Sequence, residues 1–272
     1  MRIGVHNSAN GGILNVIKEV SFLKTNATQF FVHSPRSWDI KEIEENEKKS
    51  FRDHAKKIGI FPVVVHCSYL INPLSKNTEI VKKSKKLLKL EIQNSSGISE
   101  YYVLHIKENR DESIDKNIKK LIKFFNEIKL DDSVKILFEN SASGMLSDIR
   151  NLFRFYSALK DYAPVYGICL DTAHVYEAGY DIKTQKGVEK IFDDLKDISR
   201  LKLIHLNDSK TKLSSHIDRH FHIGKGEIGI NGFKNFFKFK EFKEIPLILE
   251  TPKKNLYDDL KNLKLVKNII GG

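Results

Sequence analysis

The chain of 272 residues reads as a single (β/α)8 barrel, a TIM barrel of the α/β class spanning residues 1–272, and three observations lead there. Short β-branched or aromatic runs alternate eight times with segments of helical periodicity. The repeat averages about 34 residues, which gives the chain the length of an eightfold βα barrel of roughly 250 residues. Polar residues able to do chemistry close six successive runs, and barrels gather catalytic groups at that rim. A doubly wound open sheet shares the alternation, but its six consecutive strand ends would not converge on one point.

Taken in order, the first run is Arg2 to Val5 (RIGV), followed by the helical pattern GILNVIKEVSFL. Gln29 to Val32 (QFFV) is the second, and Pro62 to Val65 (PVVV) is the third, closing on His66. Tyr101 to Leu104 (YYVL) closes on His105 and leads into IDKNIKKLIKFFNEI. Lys135 to Phe138 (KILF) closes on Glu139, and Tyr166 to Leu170 (YGICL) closes on Asp171 ahead of VEKIFDDLKDI. Leu201 to Ile204 (LKLI) ends at His205, and Pro246 to Leu249 (PLIL) at Glu250. A lone histidine after a strand is more often structural than a ligand, and a lone Asp or Glu there is commonly a helix N-cap. Six on six successive strands form a set, from which His33 and His54 stand apart.

Composition bounds the partners. No Pro/Gly/Ser-rich linker divides the chain, the opening MRIGVHNSANGG lacks an apolar signal core, and the longest apolar runs are far too short to span a bilayer. The expectation is a soluble cytoplasmic monomer with no membrane partner. Cys67 and Cys169 offer no CxxC spacing, which fits a reducing compartment. A net charge of +11 suits a polyanion such as DNA or RNA, although only 8 of the 46 basic residues are Arg, and the Lys, Asn and Ile richness fits a biased composition. The run KKSKKLLK from Lys82 to Lys89 reads first as a solvated helix face and second as a phosphate-facing patch.

The densest chemistry lies from His205 to Gly229, HLNDSKTKLSSHIDRHFHIGKGEIG, which holds four of the ten histidines. Imidazole and carboxylate without thiolate suit Zn, Mn, Fe or Mg, with the histidine balance leaning towards Zn or Mn. With Asp218 and His220 added, the strand-end set exceeds one ion's needs, since a tetrahedral zinc takes about three protein ligands plus water. Two or three ions roughly 4 Å apart are typical of phosphoryl chemistry. The stretch from His205 to Glu250 is the longest gap between strand ends, at 45 residues. In an extended segment Asp218 and His220 face one side while Arg219 turns away; His222 shares that side but reads as loop packing. Gly224, Gly226 and Gly229 either let backbone approach a phosphate or form an ordinary turn.

Over nearly its whole length the sequence resembles the endonuclease IV family of apurinic/apyrimidinic (AP) endonucleases. The resemblance runs through SPRSW (Ser34 to Trp38), HCSYLINP (His66 to Pro73), LFENSA (Leu137 to Ala142) and CLDTAHVYEAGYD (Cys169 to Asp181). It continues in HLNDSK (His205 to Lys210), DRHFHIGKGEIG (Asp218 to Gly229) and ILETP (Ile248 to Pro252). It implies a (β/α)8 barrel with three zinc ions, manganese being a possible substitute, acting on double-stranded DNA that contains abasic sites. The cut falls 5′ to the abasic site and leaves a 3′-hydroxyl and a 5′-deoxyribose phosphate. Carried onto this chain, His66 and His105 would hold the first ion, Glu139 would bridge it to the second, and Asp171, His205 and Glu250 would complete the second. His174, Asp218 and His220 would hold the third, with Glu139 and Glu250 as the catalytic carboxylates. Arg36, Tyr69 and Leu70 match the positions that enter the duplex as the abasic nucleotide flips out, and Trp38 reads as packing beneath them.

Three departures stand out. Ser37 replaces a longer Gln that also enters DNA, Ile106-Lys107-Glu108-Asn109 replaces Pro-Gly-Ser after His105, and Ser143-Gly144-Met145 replaces a Gly-rich turn. None touches an expected ligand. The nearest rival reading is a sugar isomerase or epimerase on the same barrel, which would not need His66, His105 or the Asp218/His220 pair. A non-catalytic DNA-binding barrel would be expected to have lost ligands.

Overall fold

The computed structural model describes residues 1–130, 132–162 and 164–271. Each apolar run becomes a strand: β1 (Ile3–Val5), β2 (Thr28–Phe30), β3 (Val63–His66), β4 (Tyr101–His105), β5 (Lys135–Glu139), β6 (Val165–Asp171) and β7 (Leu201–His205). Two short strands not anticipated from the sequence, β8 (Asp208–Ser209) and β9 (His220–Phe221), pair antiparallel inside the long loop, before β10 (Leu247–Leu249). Among the described residues one parallel sheet of eight strands runs β1-β10-β7-β6-β5-β4-β3-β2. Its two edges meet, because His6 bridges Gln29 in parallel register and the Asn7 N–H donates to the Gln29 carbonyl at 2.7 Å. The sheet is therefore a nearly closed barrel.

Helices α1 (Leu14–Leu23), α2 (Glu45–Lys57), α3 (Thr78–Ser95), α4 (Ile114–Asn126) and α5 (Ile149–Leu159) each follow one strand. Beyond β6 come α6 (Thr172–Glu177) and α7 (Gln185–Leu195), beyond β9 come α8 (Gly229–Phe236) and α9 (Lys240–Lys243), and α10 (Leu256–Gly271) closes the ring. Capping fixes several starts. Asn77 accepts from the N–H groups of Glu79 and Ile80, Ser113 from Lys116 and Thr184 from Gly187, each cap contributing about 1 kcal/mol. In α4 the three- and four-residue spacing buries Leu121, Phe124 and Phe125 and turns the lysines outward. On α3, Lys82, Lys83, Lys86 and Lys89 are exposed, as a solvated face requires. Among the described residues no helix is long and apolar enough to cross a membrane.

Strand pleating decides what the barrel encloses. Ala27, Val64, Val103, Leu137, Cys169, Leu203 and Ile248 point inward and form a separate buried cluster, one residue per strand or strand approach. Side chains two residues on face the same way, and those are Gln29, His66, His105, Glu139, Asp171, His205 and Glu250. In β1 the corresponding pair is Gly4 and His6. A Cβ at Gly4 would sit 2.2 Å from the Ala27 carbonyl oxygen and 2.9 Å from Ile248 Cδ1, so the barrel seam closes only around a hydrogen. Gly4→Ala is expected to lower unfolding free energy by about 1–3 kcal/mol through overpacking against backbone. Urea denaturation checks this, and an unchanged midpoint would mean that the seam can open without loss.

Candidate metal centre

The strand ends meet above the apolar layer in one cavity of about 490 Å³. His66, His105, Glu139, His174, Asp218, His220 and Glu250 line it, while Asp171 and His205 are fully buried beneath. All nine residues expected as ligands are thus gathered at one end of the barrel. His174 arrives on α6, directly after β6, Asp218 arrives just before β9 and His220 opens that strand.

His66, His174, His205 and His220 are oriented by bonds on their far sides. His66 Nδ1 lies 2.9 Å from the Cys67 carbonyl oxygen, which turns Nε2 to within 3.3 Å of Glu139. His174 Nδ1 lies 2.9 Å from the Asn140 carbonyl oxygen, leaving Nε2 at 3.4 Å from Asp218. His205 is reversed: Nε2 meets Gln29 Oε1 at 2.8 Å, and Nδ1 faces Glu139 at 2.9 Å and Glu250 at 3.2 Å. His220 Nε2 lies 3.3 Å from His174 Nε2 and 3.4 Å from Asp171. Metal-ligating histidines are held in this manner, with the outer N–H given to a carbonyl or carboxylate.

Among the described residues two sets free of cysteine have donor atoms within 4.8 Å of one another: Glu139, Asp171, His205 and Glu250, and Asp171, His174 and His220. Asp171 belongs to both. It also caps α6, since one oxygen accepts the His174 N–H at 2.9 Å while the other takes the Asn207 amide at 2.7 Å. The cap and ligand readings of a strand-end aspartate therefore coexist here. Cys169 approaches Glu139 and His205 from the barrel floor, but burial pushes its thiol well up and keeps it protonated. Imidazole and carboxylate remain, a set suited to zinc or manganese. His66, His105 and Asp218 fall outside these two sets. The His105 ring stands edge-on to His174 with centroids 5.8 Å apart and makes no hydrogen bond among the described residues.

Electrostatics reinforces the arrangement. Burial opposes the charge on Glu139, yet His205, His66 and His105 outweigh it and hold the carboxyl well below its ordinary value. Glu250 is depressed in the same way, against burial, by His205, His6 and His66. At the pocket mouth partial burial works against Asp218, but His174, His220 and His105 hold it at about 2. Conversely, burial disfavours charge on His66 and His174, and both are nonetheless raised well above 6.5, His66 by Cys67 and Glu139 and His174 by Asp171 and Asp218.

Several residues escaped the sequence reading. Gln29 donates to Glu250 at 2.6 Å while accepting from His205, and His6 Nδ1 lies 3.3 Å from the same carboxylate. His6 closes the first strand, so the rule applied to the other strands would have found it. Gln29 is a polar residue at the head of an otherwise apolar run, which is itself a signal. The glycine alternatives also separate. The N–H groups of Gly226, Ile228 and Gly229 are taken by the buried Asp208 carboxylate, the first two at 3.0 Å, so HIGKGEIG is an ordinary turn. A Cβ at Gly226 would lie 2.2 Å from the Ser209 carbonyl oxygen. His222 packs against Asn262 at 3.1 Å, away from the ligand sets.

At the rim, Arg36 and Tyr69 are exposed and Leu70 is half-buried. Phe31 joins Tyr69 to the site, its ring 5.5 Å from both Tyr69 and His66. The loops that follow β4 and β5 fit each other. Glu108 accepts the Met145 N–H at 2.8 Å, and Arg110 donates to Ser143 at 2.8 Å.

A family described as "Xylose isomerase-like TIM barrel" matches residues 18–268. A probable endonuclease 4 of Halothermothrix orenii is 38% identical over 262 residues, 93% of this chain and 94% of the relative. The chain belongs to the endonuclease IV family. The endonuclease IV of Thermus thermophilus superposes with a TM-score of 0.86 at 28% identity, covering 100% of this chain and 99% of that one. A D-tagatose 3-epimerase-like protein also superposes, with a TM-score of 0.71 over 100% of this chain and 97% of its own, but at 20% identity this likeness concerns the fold alone.

Gln29→Ala is expected to weaken divalent-ion affinity about 10- to 100-fold, the usual effect of losing an outer hydrogen-bond partner. Competition with a chromophoric chelator measures it, and unchanged affinity would remove Gln29 from the site. A second expectation concerns protons. Because His66 and His174 are raised, they are protonated near neutrality in the metal-free protein, and ion uptake must displace those protons. Apparent affinity therefore falls as pH drops, beginning above pH 6.5. Calorimetry in two buffers of different ionisation enthalpy reads the release, and identical heats would refute it.

Proposed function

We propose that the protein is a metal-dependent phosphodiesterase that cuts double-stranded DNA on the 5′ side of an abasic site, leaving a 3′-hydroxyl and a 5′-deoxyribose phosphate. The reading assigns it three zinc ions, with manganese as a substitute, and a monomeric, cytoplasmic role in base excision repair. The observation that carries it is the pair of adjoining ligand sets sharing Asp171 at the floor of one cavity. One sugar-isomerising ion would leave His66, His105, His174, Asp218 and His220 without a task. The names of the relatives point the same way.

Divalent ions held here would supply Lewis acidity and an activated water for in-line displacement at phosphorus. The chain's own residues do the rest. Glu139 lies between His66 and His205 and is positioned to link their sites. Glu250 is held by Gln29 and His6 on one side and by the Asn207 side chain at its own N–H on the other. Asp218 and His220 reach the mouth from the β9 side and, with His174, would hold the ion that stabilises the departing oxygen. Arg36, Tyr69 and Leu70 would fill the gap that a flipped-out abasic nucleotide leaves in the stack.

Elemental analysis of protein purified without chelator is expected to give about three divalent ions per chain, since a tetrahedral zinc uses about three protein ligands. Glu139→Gln is expected to slow cleavage of a duplex with one abasic analogue by about three orders of magnitude, ~4 kcal/mol of transition-state stabilisation. His54→Ala, exposed on α2, should stay within a few-fold. One ion per chain together with ketose epimerisation would instead make this a sugar epimerase.

A further inference from the structure

The loops bearing Arg36, Tyr69 and Leu70 are rooted in one buried carboxylate. Glu91, on α3, is fully buried and faces donors from three other elements. His33 Nε2 lies 2.6 Å from Oε1, the Ser68 N–H reaches Oε1 and Oε2 at 3.3 and 3.2 Å, and the Tyr102 hydroxyl bonds Oε2. His33 immediately precedes the Ser34 to Trp38 loop, and Ser68 immediately precedes Tyr69. Tyr102 is a donor because burial and the nearby carboxylate push its phenol well up.

The same loops are fastened to each other. Pro35, next to Arg36, offers one carbonyl to the Ser68 hydroxyl at 2.8 Å and to the Tyr69 N–H at 3.1 Å. The Ser68 hydroxyl in turn accepts the Leu70 N–H at 3.2 Å, and Lys107 donates to the Tyr69 carbonyl. A buried carboxylate is a costly way to fill space that an apolar side chain could fill. Its donors, however, are the entry points of the two loops.

We propose that Glu91 is a positioning residue for lesion recognition, holding His33 and the Ser68 N–H so that Arg36, Tyr69 and Leu70 form one preset unit before DNA arrives. The inference rests on reading those three side chains as the ones that enter the duplex. Side chains fixed in advance lose less freedom on binding, so the benefit falls on association with abasic DNA and not on the chemical step.

The test uses the metal-loaded enzyme and duplexes with and without one abasic analogue. Glu91→Gln keeps the volume but turns an amide NH2 towards groups that need an acceptor. It is expected to raise KM for the abasic duplex about tenfold, the effect of ~1.4 kcal/mol, with kcat and metal content unchanged. Trp38, the chain's one tryptophan, sits on the first loop, and its quenching by acrylamide should rise in the same variant. His33→Gln, which keeps a donor, should behave as wild type, whereas His33→Leu should reproduce Glu91→Gln and carries the test if that variant folds poorly. Tyr69→Ala should weaken binding to abasic duplex more than to intact duplex, and adding Glu91→Gln to it should bring little further loss. Equal weakening on both duplexes in Tyr69→Ala overturns the reading of the loops. Wild-type KM and quenching in Glu91→Gln, beside a selective Tyr69→Ala, overturns the role of Glu91 alone, as does a loss of metal or kcat at unchanged KM.

Discussion

A polar side chain that points into a barrel has no bulk water to turn to, and in this protein every strand contributes one. His6, Gln29, His66, His105, Glu139, Asp171, His205 and Glu250 stand two residues beyond Gly4 and the seven side chains of the apolar layer. Pleating leaves no choice about direction, so burial obliges these groups to satisfy one another. All but His105 do so through a connected set of bonds: Gln29 to His205 and Glu250, His6 to Glu250, His205 and His66 to Glu139, Asp171 to Asn207, and Asn207 to the Glu250 backbone. The other site elements are arranged around that ring. Helix α6 starts on Asp171 so that His174 rises beside it, and β9 brings His220 to the same carboxylate.

The rim loops that carry Arg36, Tyr69 and Leu70 are separated in space from the ring of buried polar groups but share a wall with it. Phe31 packs between His6, His66 and Tyr69, so the rim loop rests on the ring of site residues and does not hang in solvent. The loops that follow β4 and β5 are neighbours as well, Glu108 and Arg110 on one side meeting Met145 and Ser143 on the other.

Most of this was legible in the residues. The eight strand runs fall within a residue or two of the observed strands; QFFV is displaced because the ladder of β2 begins at Thr28 and ends at Phe30. The strand-end rule brought His66, His105, Glu139, Asp171, His205 and Glu250 to one cavity floor and wall, since the C-terminal ends of parallel strands all lie at one rim. What the pattern could not carry was anything set by partners distant in sequence. Ladder β8–β9 is too short to alternate, Gln29 draws its meaning from residues far along the chain, and the glycine turn became interpretable only once Asp208 was found inside it. His33 stood apart from the ligand set as expected, but its partner Glu91 is 58 residues away, and no local signal ties the two together.

The crowding of carboxylates has a consequence for the protein's life in a cell. Glu139, Glu250 and Asp171 lie within one ring whose partners are imidazoles, so a bound cation would relieve their mutual repulsion. A cation bound only by the folded chain adds to folding stability by mass action. Supply of divalent ions would then bear on how much of this protein escapes unfolding and proteolysis as well as on its chemistry.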